Sequence, residues 1–304
     1  MKRLAIALGL VALAAILVLL VTRPSGLSSD IFPAHVQDLS NGELLFHAGG
    51  CASCHSSADT DSEPPVLGGG LAMETPFGTF RVPNISPDTD YGIGEWTLSD
   101  FITAMRLGSS PDGRHYYPAF PYASYSRISF EDLMDLKSYL DTLPWAQNHN
   151  EAHELKFPWN IRAGIGLWKI LNLDPSAVIS MPPDNRLLSR GRYLVEGPGH
   201  CGECHTPRNW SGGLNNDRWL AGAPNPDGEG KVPNITPGAK GFADWSQEDI
   251  AYYLESGFTP DFDTVGSSMV EVQENMAQLP AEDRAAIAAY LKNIPALVSP
   301  ENIK

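Results

Sequence analysis

The chain has 304 residues, of which 42% are hydrophobic and 19% are charged, and its formal net charge is −15. That length suits about two domains, and the composition excludes a disordered chain. The acidity argues against nucleic acid as a partner and favours partners with basic surfaces.

The chain begins with an apolar segment, residues 1–24. Lys2 and Arg3 precede 18 uncharged residues, Leu4–Val21. As a helix rising about 1.5 Å per residue, this run just spans the hydrocarbon core of a bilayer. It is longer than the apolar region of a signal peptide, and no A-x-A-like cleavage site follows it, so a transmembrane anchor is favoured over a cleaved signal peptide. Both alternatives place the rest of the chain outside the cytoplasmic membrane.

All four cysteines lie in two C-x-x-C-H motifs, Cys51–His55 and Cys201–His205. Each motif spaces two thiols so that they can add to the vinyl groups of one haem, and the histidine then reaches the iron. A disulfide framework predicts scattered cysteines, a zinc ribbon needs pairs about 15–20 residues apart, and a thioredoxin-like motif explains only one pair. The motifs therefore predict two covalently bound haem c groups, held by Cys51, Cys54, Cys201 and Cys204, with His55 and His205 as proximal iron ligands.

The two motifs belong to an internal repeat. Their first cysteines are 150 residues apart, and Val82–Ser86 recurs at the same spacing as Val232–Thr236. The repeat predicts two copies of one unit, residues 37–144 (the first unit) and residues 186–296 (the second unit). Residues 145–185, the connection, are too apolar for a free linker, so we expect them to pack across both units.

Each unit is predicted to be a set of short helices around a loop-rich centre. Helical spacing leads into each C-x-x-C-H motif, and a clearer helix closes each unit, beginning after Ser129 in the first and after Pro280 in the second. Gly42 and Gly191 are candidate points of close contact between the first and last helices of their units.

Several segments together resemble periplasmic di-haem class I cytochromes c. They are the two C-x-x-C-H motifs, the two Val-Pro-Asn-Ile-Ser/Thr segments and the Trp-Thr/Ser pair that follows each. The second motif, within Gly199–Arg208, is similar to that of cytochrome subunits of membrane-associated periplasmic dehydrogenases. The resemblance covers residues 37–296 and implies an all-α fold of two tandem cytochrome c domains. It implies a location on the periplasmic side of the bacterial inner membrane, a periplasmic dehydrogenase as electron donor, and another cytochrome or an oxidase as acceptor.

The resemblance also implies different iron ligands in the two units. In the second, the loop around Met269 matches the family pattern, so Met269 is the expected sixth ligand, and such ligation raises the reduction potential. The equivalent position of the first unit is Phe120, which cannot bind iron. His115 is the leading substitute, Met105 and Met134 fit better as core residues, and an open or water-bound iron is the other alternative.

The proximal histidines also need partners for their second ring nitrogens, because an unheld ring turns freely. Backbone carbonyls near Pro83 and Pro233, in the repeated Val-Pro-Asn segments, are the candidates. With these parts we expect a protein that relays single electrons, alone or as the cytochrome subunit of an oxidoreductase. The alternative is a peroxidase-type di-haem enzyme that uses an open first iron.

Overall fold

The fold is known from a computed structural model. The structure describes residues 2–57, 62–225 and 230–299, except for the side chains of Val11 and Ala15. It is mostly helical, with helices α1 (Lys2–Val21), α2 (Leu39–Ala48), α3 (Cys51–His55), α4 (Leu98–Leu107), α5 (Tyr122–Tyr125), α6 (Phe130–Leu140), α7 (Gly164–Asn172), α8 (Arg186–Glu196), α9 (Gly202–His205), α10 (Gln247–Ser256), α11 (Met269–Ala277) and α12 (Ala281–Asn293). The short strands are β1 (Ala72–Thr75), β2 (Gly78–Arg81), β3 (Glu154–Leu155), β4 (Ala223–Pro224) and β5 (Lys231–Val232). Single 3-10 turns lie at Ser29–Ile31 and Asn216–Arg218.

The first and last helices of each unit cross at a glycine. A Cβ on Gly42 of α2 would lie 2.3 Å from the carbonyl oxygen of Asp135 on α6. A Cβ on Gly191 of α8 would lie 1.9 Å from the carbonyl oxygen of Ala286 on α12. No side chain fits at either crossing, so the prediction of close contact at these two glycines is confirmed.

The closing helices also begin where the sequence predicts. The side chain of Ser129 accepts a hydrogen bond from the backbone N–H of Asp132 and so caps α6, while Pro280 directly precedes α12. The middle helices of the two units share another signal, a reciprocal capping box. Its N-cap residues are Thr97 before α4 and Ser246 before α10.

Each unit has its own apolar core, and the two cores meet. The first is built on buried residues such as Leu45, Ile102 and Leu133, and the second on residues such as Leu194 and Ile287. At their boundary, Ala48 of α2 packs into the second core, and Tyr193 of α8 packs against the first. The units therefore bury part of their apolar surface against each other.

The structure also contains two small antiparallel sheets, which the prediction of an all-α fold did not include. Strand β2 pairs with β1, and it also pairs with β3, which belongs to the connection. A Cβ on Gly78, whose φ is +124°, would lie 2.2 Å from the Glu154 carbonyl oxygen, so this close pairing requires glycine. Strands β4 and β5 form the second sheet. The first sheet attaches the start of the connection to the first unit.

The N-terminal helix α1 is long and apolar enough to cross a membrane. It ends against the body of the protein, because Thr22 is buried and a Cβ on Gly166 of α7 would lie 2.6 Å from the Thr22 Cβ. Farther on, the backbone N–H of Leu27 donates to Thr103 Oγ1 over 2.9 Å. The segment after α1 is therefore packed along the first unit.

The connection touches both units. From α7, Lys169 Nζ donates to the Gly108 carbonyl oxygen over 2.6 Å, in the first unit. The Asn172 Oδ1 accepts from Asn209 Nδ2 over 3.2 Å, in the second unit. Helix α7 thus lies beside the end of α1 and between the two units.

Candidate haem centres

The two C-x-x-C-H motifs form short helices whose histidines are held in the same way. His55 Nδ1 lies 2.8 Å from the Pro83 carbonyl oxygen, and His205 Nδ1 lies 2.8 Å from the Pro233 carbonyl oxygen. A carbonyl oxygen can only accept, so Nδ1 carries the proton and Nε2 keeps the lone pair that binds a metal. The prediction that carbonyls of the Val-Pro-Asn segments hold these rings is confirmed.

In each unit, one glycine connects the C-x-x-C-H motif to the Val-Pro-Asn segment. The Gly69 N–H donates to the His55 carbonyl oxygen over 2.8 Å, and the Gly222 N–H donates to the His205 carbonyl oxygen over 2.8 Å. Both have positive φ, +66° and +89°, which favours glycine. A Cβ on Gly69 would also lie 2.5 Å from the Pro83 carbonyl oxygen. Sequence reasoning missed both residues, although each is the glycine of a Leu-x-Gly segment that lies between the motif and the Val-Pro-Asn segment of its unit, Leu67–Gly69 and Leu220–Gly222.

Burial favours the neutral forms of the histidine and of the first cysteine in each motif. Burial lowers the pKa of His55 and of His205, against the opposing effect of the hydrogen bonds to the proline carbonyls. Burial, with the second cysteine of each motif, raises the pKa of Cys51 and of Cys201 to about 12. A neutral imidazole is the form that binds iron.

A small apolar cavity opens beside the second motif. Cys201 lines it together with Met269 and Met276 from α11 and Leu254 from α10. Ala48, at the end of α2 in the first unit, contributes to the same wall. The thioether of Met269 thus shares a cavity with the thiol of the second motif, and the two units build that cavity together.

The third residue of each motif forms a hydrogen bond to the other unit. Asn275 Nδ2, on α11, donates to Ser53 Oγ over 3.0 Å. Ser124 Oγ, on α5, donates to Glu203 Oε1 over 2.9 Å. Glu203 also forms an ion pair with Arg208 at 2.9 Å. The two contacts are related by the repeat, so each motif packs on the equivalent helix of the opposite unit.

The residues that precede the motifs also meet. His200 Nε2 lies 3.3 Å from the Gly49 carbonyl oxygen, and the His200 ring lies 5.5 Å from the ring of Tyr125, centre to centre. Since His200 directly precedes Cys201 and Gly49 lies two residues before Cys51, the two motifs are neighbours across the interface between the units.

Comparison with known proteins assigns this pair of motifs to a family. A sequence model of the cytochrome c family matches residues 39–144. The chain is also 53% identical over 293 residues to a diheme cytochrome c-type protein of Cereibacter sphaeroides, and the alignment covers 95% of this chain and 97% of the relative. The chain belongs to the di-haem c-type cytochromes.

This di-haem cytochrome is also similar to subunits of larger assemblies. It is 36% identical, over 86% of its length, to the fructose dehydrogenase cytochrome subunit of Gluconobacter japonicus. It is 32% identical, over 89% of its length, to the cytochrome c subunit of the alcohol dehydrogenase (quinone) of Gluconobacter oxydans. The chain spans 54% and 58% of those two subunits, so it corresponds to about half of each.

The residues of both motifs fit covalently bound haem c. Each offers two thiols and one imidazole with a correctly placed proton, and the second motif borders an apolar cavity that contains a thioether. When bound, such a group supplies one-electron redox chemistry, while the protein sets its orientation and potential. Within the described residues, no cluster of three or more His, Cys, Asp or Glu side chains forms a further metal site.

The structure does not support His115 as the sixth ligand of the first haem. His115 is buried, its Nε2 donates to the Thr22 carbonyl oxygen over 2.7 Å, and its Nδ1 accepts from Lys169 Nζ over 3.0 Å. Both ring nitrogens are therefore occupied within the protein, at the junction with α1. The spacing along the loop could not show this, because the partner Thr22 is 93 residues away.

The other candidates of the first unit lie in its core. Met105 and Met134 are buried in the first apolar cluster, as the sequence predicts. Phe120 packs against the same cluster, with its ring 5.7 Å from that of Tyr125 and 5.8 Å from that of Tyr116. An aromatic group thus occupies the position that is equivalent to Met269 in the repeat.

Proposed function

We propose that this protein is a two-haem electron relay. Cys51 and Cys54 would hold one haem c with His55 as its proximal ligand. Cys201 and Cys204 would hold the second, with His205 as its proximal ligand. Single electrons would enter from a dehydrogenase, pass between the haems inside one chain, and leave to another cytochrome or an oxidase.

The observation that carries the proposal is the packing of the two motifs against each other. The motif contacts Ser53–Asn275 and Ser124–Glu203 cross the interface in both directions, and His200 reaches the backbone just before Cys51. Electron transfer through protein slows steeply with distance, so two groups attached at this interface would exchange electrons quickly.

The two haems would differ in their sixth ligand, which favours transfer in one direction. Met269 lines the cavity at Cys201, which supports His/Met ligation and a raised reduction potential for the second haem. The first unit has Phe120 at the equivalent position, and His115 is engaged elsewhere. We therefore propose that the second haem has the higher potential and receives electrons from the first.

The names of the relatives and the helix α1 support the proposed setting. Several relatives are cytochrome subunits of dehydrogenases, which supports a dehydrogenase as donor. Helix α1 would anchor the chain in the inner membrane with the two units on the periplasmic side. The net charge of −15 would favour donor or acceptor surfaces that carry basic residues, with docking that weakens as salt is added.

A second candidate function follows from Phe120. Without a sixth protein ligand, the first iron would be open to small molecules, as in a peroxidase-type di-haem enzyme. Adding carbon monoxide to the reduced protein, or peroxide to the oxidised protein, separates the two functions. A Soret shift that accounts for one haem, with turnover of peroxide, favours the enzyme, and binding without turnover favours the relay.

Haem content tests the proposal directly. The purified protein should contain two covalent haems by pyridine haemochrome and intact mass. The paired change Cys51→Ala with Cys54→Ala should leave one, and so should Cys201→Ala with Cys204→Ala. One haem in the unaltered protein would overturn the proposal, and a single-haem variant that fails to fold does not affect that count.

A further inference from the structure

We propose that the outer face of α7, together with residues 157–161, lies in the surface of the bilayer beside α1. The proposal rests on the membrane attachment of α1 proposed above and goes beyond it, because it assigns a second membrane contact to the connection. The partner that contacts this surface is the anionic lipid of the bilayer.

Helix α7 is amphipathic, and the orientation of its two sides is the reverse of that in most soluble proteins. Its polar residues Lys169 and Asn172 point into the body, where they hydrogen-bond to both units. Trp168 packs against Tyr122 of the body, but three other apolar residues, Leu167, Ile170 and Leu171, are exposed. Amphipathic helices of soluble proteins bury the apolar side, whereas helices that lie in a membrane surface bury it in lipid.

The exposed apolar surface continues into the loop before α7. Phe157, Trp159 and Ile161 are exposed, and the Trp159 ring meets the ring of Phe77, at the tip of the β1–β2 hairpin, at 4.9 Å. Large contiguous apolar patches on a folded protein mark sites of interaction. Tryptophan is enriched at the interface between lipid and water.

The position of α1 indicates that lipid contacts this face of α7. Gly166 of α7 packs directly on Thr22, the first residue after α1, and His115 donates a hydrogen bond to the Thr22 carbonyl oxygen. Thr22 must lie close to the membrane surface if α1 crosses the bilayer. Helix α7 is then held at that surface, with its apolar side chains on the face that is turned away from the protein body.

The charge of this segment supports the same occupant. Residues 155–173 contain Lys156, Arg162 and Lys169 but no Asp or Glu, in a chain whose net charge is −15. Arg23, next to Thr22, and Lys156 are both exposed. Basic residues near an anionic leaflet each add to membrane attraction, so the exposed Arg23 and Lys156 are complementary to anionic lipid headgroups.

Thiol labelling in a bilayer tests the proposal. Single cysteines would be introduced as Leu167→Cys and Ile170→Cys, with Tyr252→Cys on α10 as the control. The three side chains are similarly exposed, 48%, 60% and 56%. The full chain would be placed in nanodiscs of phosphatidylethanolamine and phosphatidylglycerol, and labelled with a charged, membrane-impermeant maleimide. The unaltered protein gives the background from its own cysteines.

We expect the Leu167→Cys and Ile170→Cys thiols to react at least several-fold more slowly than the Tyr252→Cys thiol, each relative to its rate in the denatured protein. Equal relative rates at the three positions would overturn the proposal and leave this face free for a protein partner. A fourth variant, Leu10→Cys in α1, separates the two proposals. If its thiol is protected while Leu167→Cys and Ile170→Cys react freely, α1 is in the membrane and the α7 surface is not. If all four thiols react freely, the proposed anchoring of α1 has failed as well.

Discussion

The side-chain amide of Asn275 donates a hydrogen bond to Ser53 Oγ, although the two residues are 222 positions apart. Its counterpart in the repeat joins Ser124 to Glu203. Together these bonds make the third position of each C-x-x-C-H motif part of the interface between the units. The interface thus includes a residue from each of the two motifs that would hold the haems.

Glu203→Ala should destabilise this interface. The change removes the acceptor for Ser124 Oγ and the ion pair with Arg208 from a largely buried site. We expect the free energy of unfolding to fall by about 1–3 kcal/mol. Glu95→Ala, at an exposed position, is the control and should change it by less than about 0.5 kcal/mol. Denaturant titration measures both, and equal effects would show that Glu203 does not hold the units together.

Gly191→Ala should damage the helix crossing of the second unit. The new methyl group would lie 1.9 Å from the Ala286 carbonyl oxygen, so α8 and α12 would have to separate. Overpacking of this kind costs about 1–3 kcal/mol or more. Gly164→Ala is a matched control, because it is also a helix residue and a Cβ there meets nothing within 4 Å. A melting temperature for Gly191→Ala that equals that of the control would contradict the close crossing.

Met269→Leu should remove the thioether-to-iron charge-transfer band of the oxidised protein. It should also lower the reduction potential of one haem by on the order of 0.1 V or more, within the range of about 0.8 V that axial ligands span. Met276→Leu is the control, because Met276 lines the same cavity and should leave the band intact. Magnetic circular dichroism and a spectroelectrochemical titration give the two readouts. Loss of the band in Met276→Leu instead would reassign the ligand.

The unaltered protein should show the thioether band for one haem only. Phe120→Met places a thioether at the position that the repeat makes equivalent to Met269, so the intensity per protein should double. The potential of the first haem should rise in the same variant. If the unaltered protein already shows two such ligands, the proposed difference between the haems is wrong.

The junction between α1 and the first unit should be acid-sensitive. Burial, and then the nearby ammonium group of Lys169, lower the pKa of His115 from 6.5, and Arg162 faces it as a further cation. The unfolded chain therefore takes up a proton before the folded protein does, and the folded state loses stability as the pH falls below 6.5.

Thermal unfolding between about pH 7 and pH 5 measures this loss, since that interval covers the ordinary titration of histidine. His115→Asn should lose less stability over the interval than the unaltered protein. His149→Asn changes an exposed histidine and should retain the full loss. If His115→Asn behaves like His149→Asn, the titration of His115 makes no contribution to the acid sensitivity.

Much of the local structure could be predicted from the sequence, because its signals are local or repeated. Ser129 and Pro280 mark helix starts through their own side chains, and the repeat placed Pro83 and Pro233 where they hold His55 and His205. A period of 150 residues aligns equivalent positions without any knowledge of three-dimensional contacts.

Contacts between distant segments could not be predicted in this way. His115 lies in the same loop as Phe120 and had the right chemistry for iron, but its ring is held by Thr22 and Lys169. Neither partner occurs at a spacing that would indicate it. The contact of Ser53 with Asn275 likewise depends on how the units pack, and a repeat shows that the units are similar but not how they are oriented.

The central claim is that electrons pass between two haems held at Cys51–His55 and Cys201–His205 of one chain. Pulse reduction of the oxidised protein with less than one electron per molecule, followed at wavelengths that separate the two haems, tests it most directly. We predict that one haem is reoxidised as the other becomes reduced, at a rate that does not change with protein concentration. Exchange that occurs only between molecules, with a rate proportional to concentration, would contradict the claim.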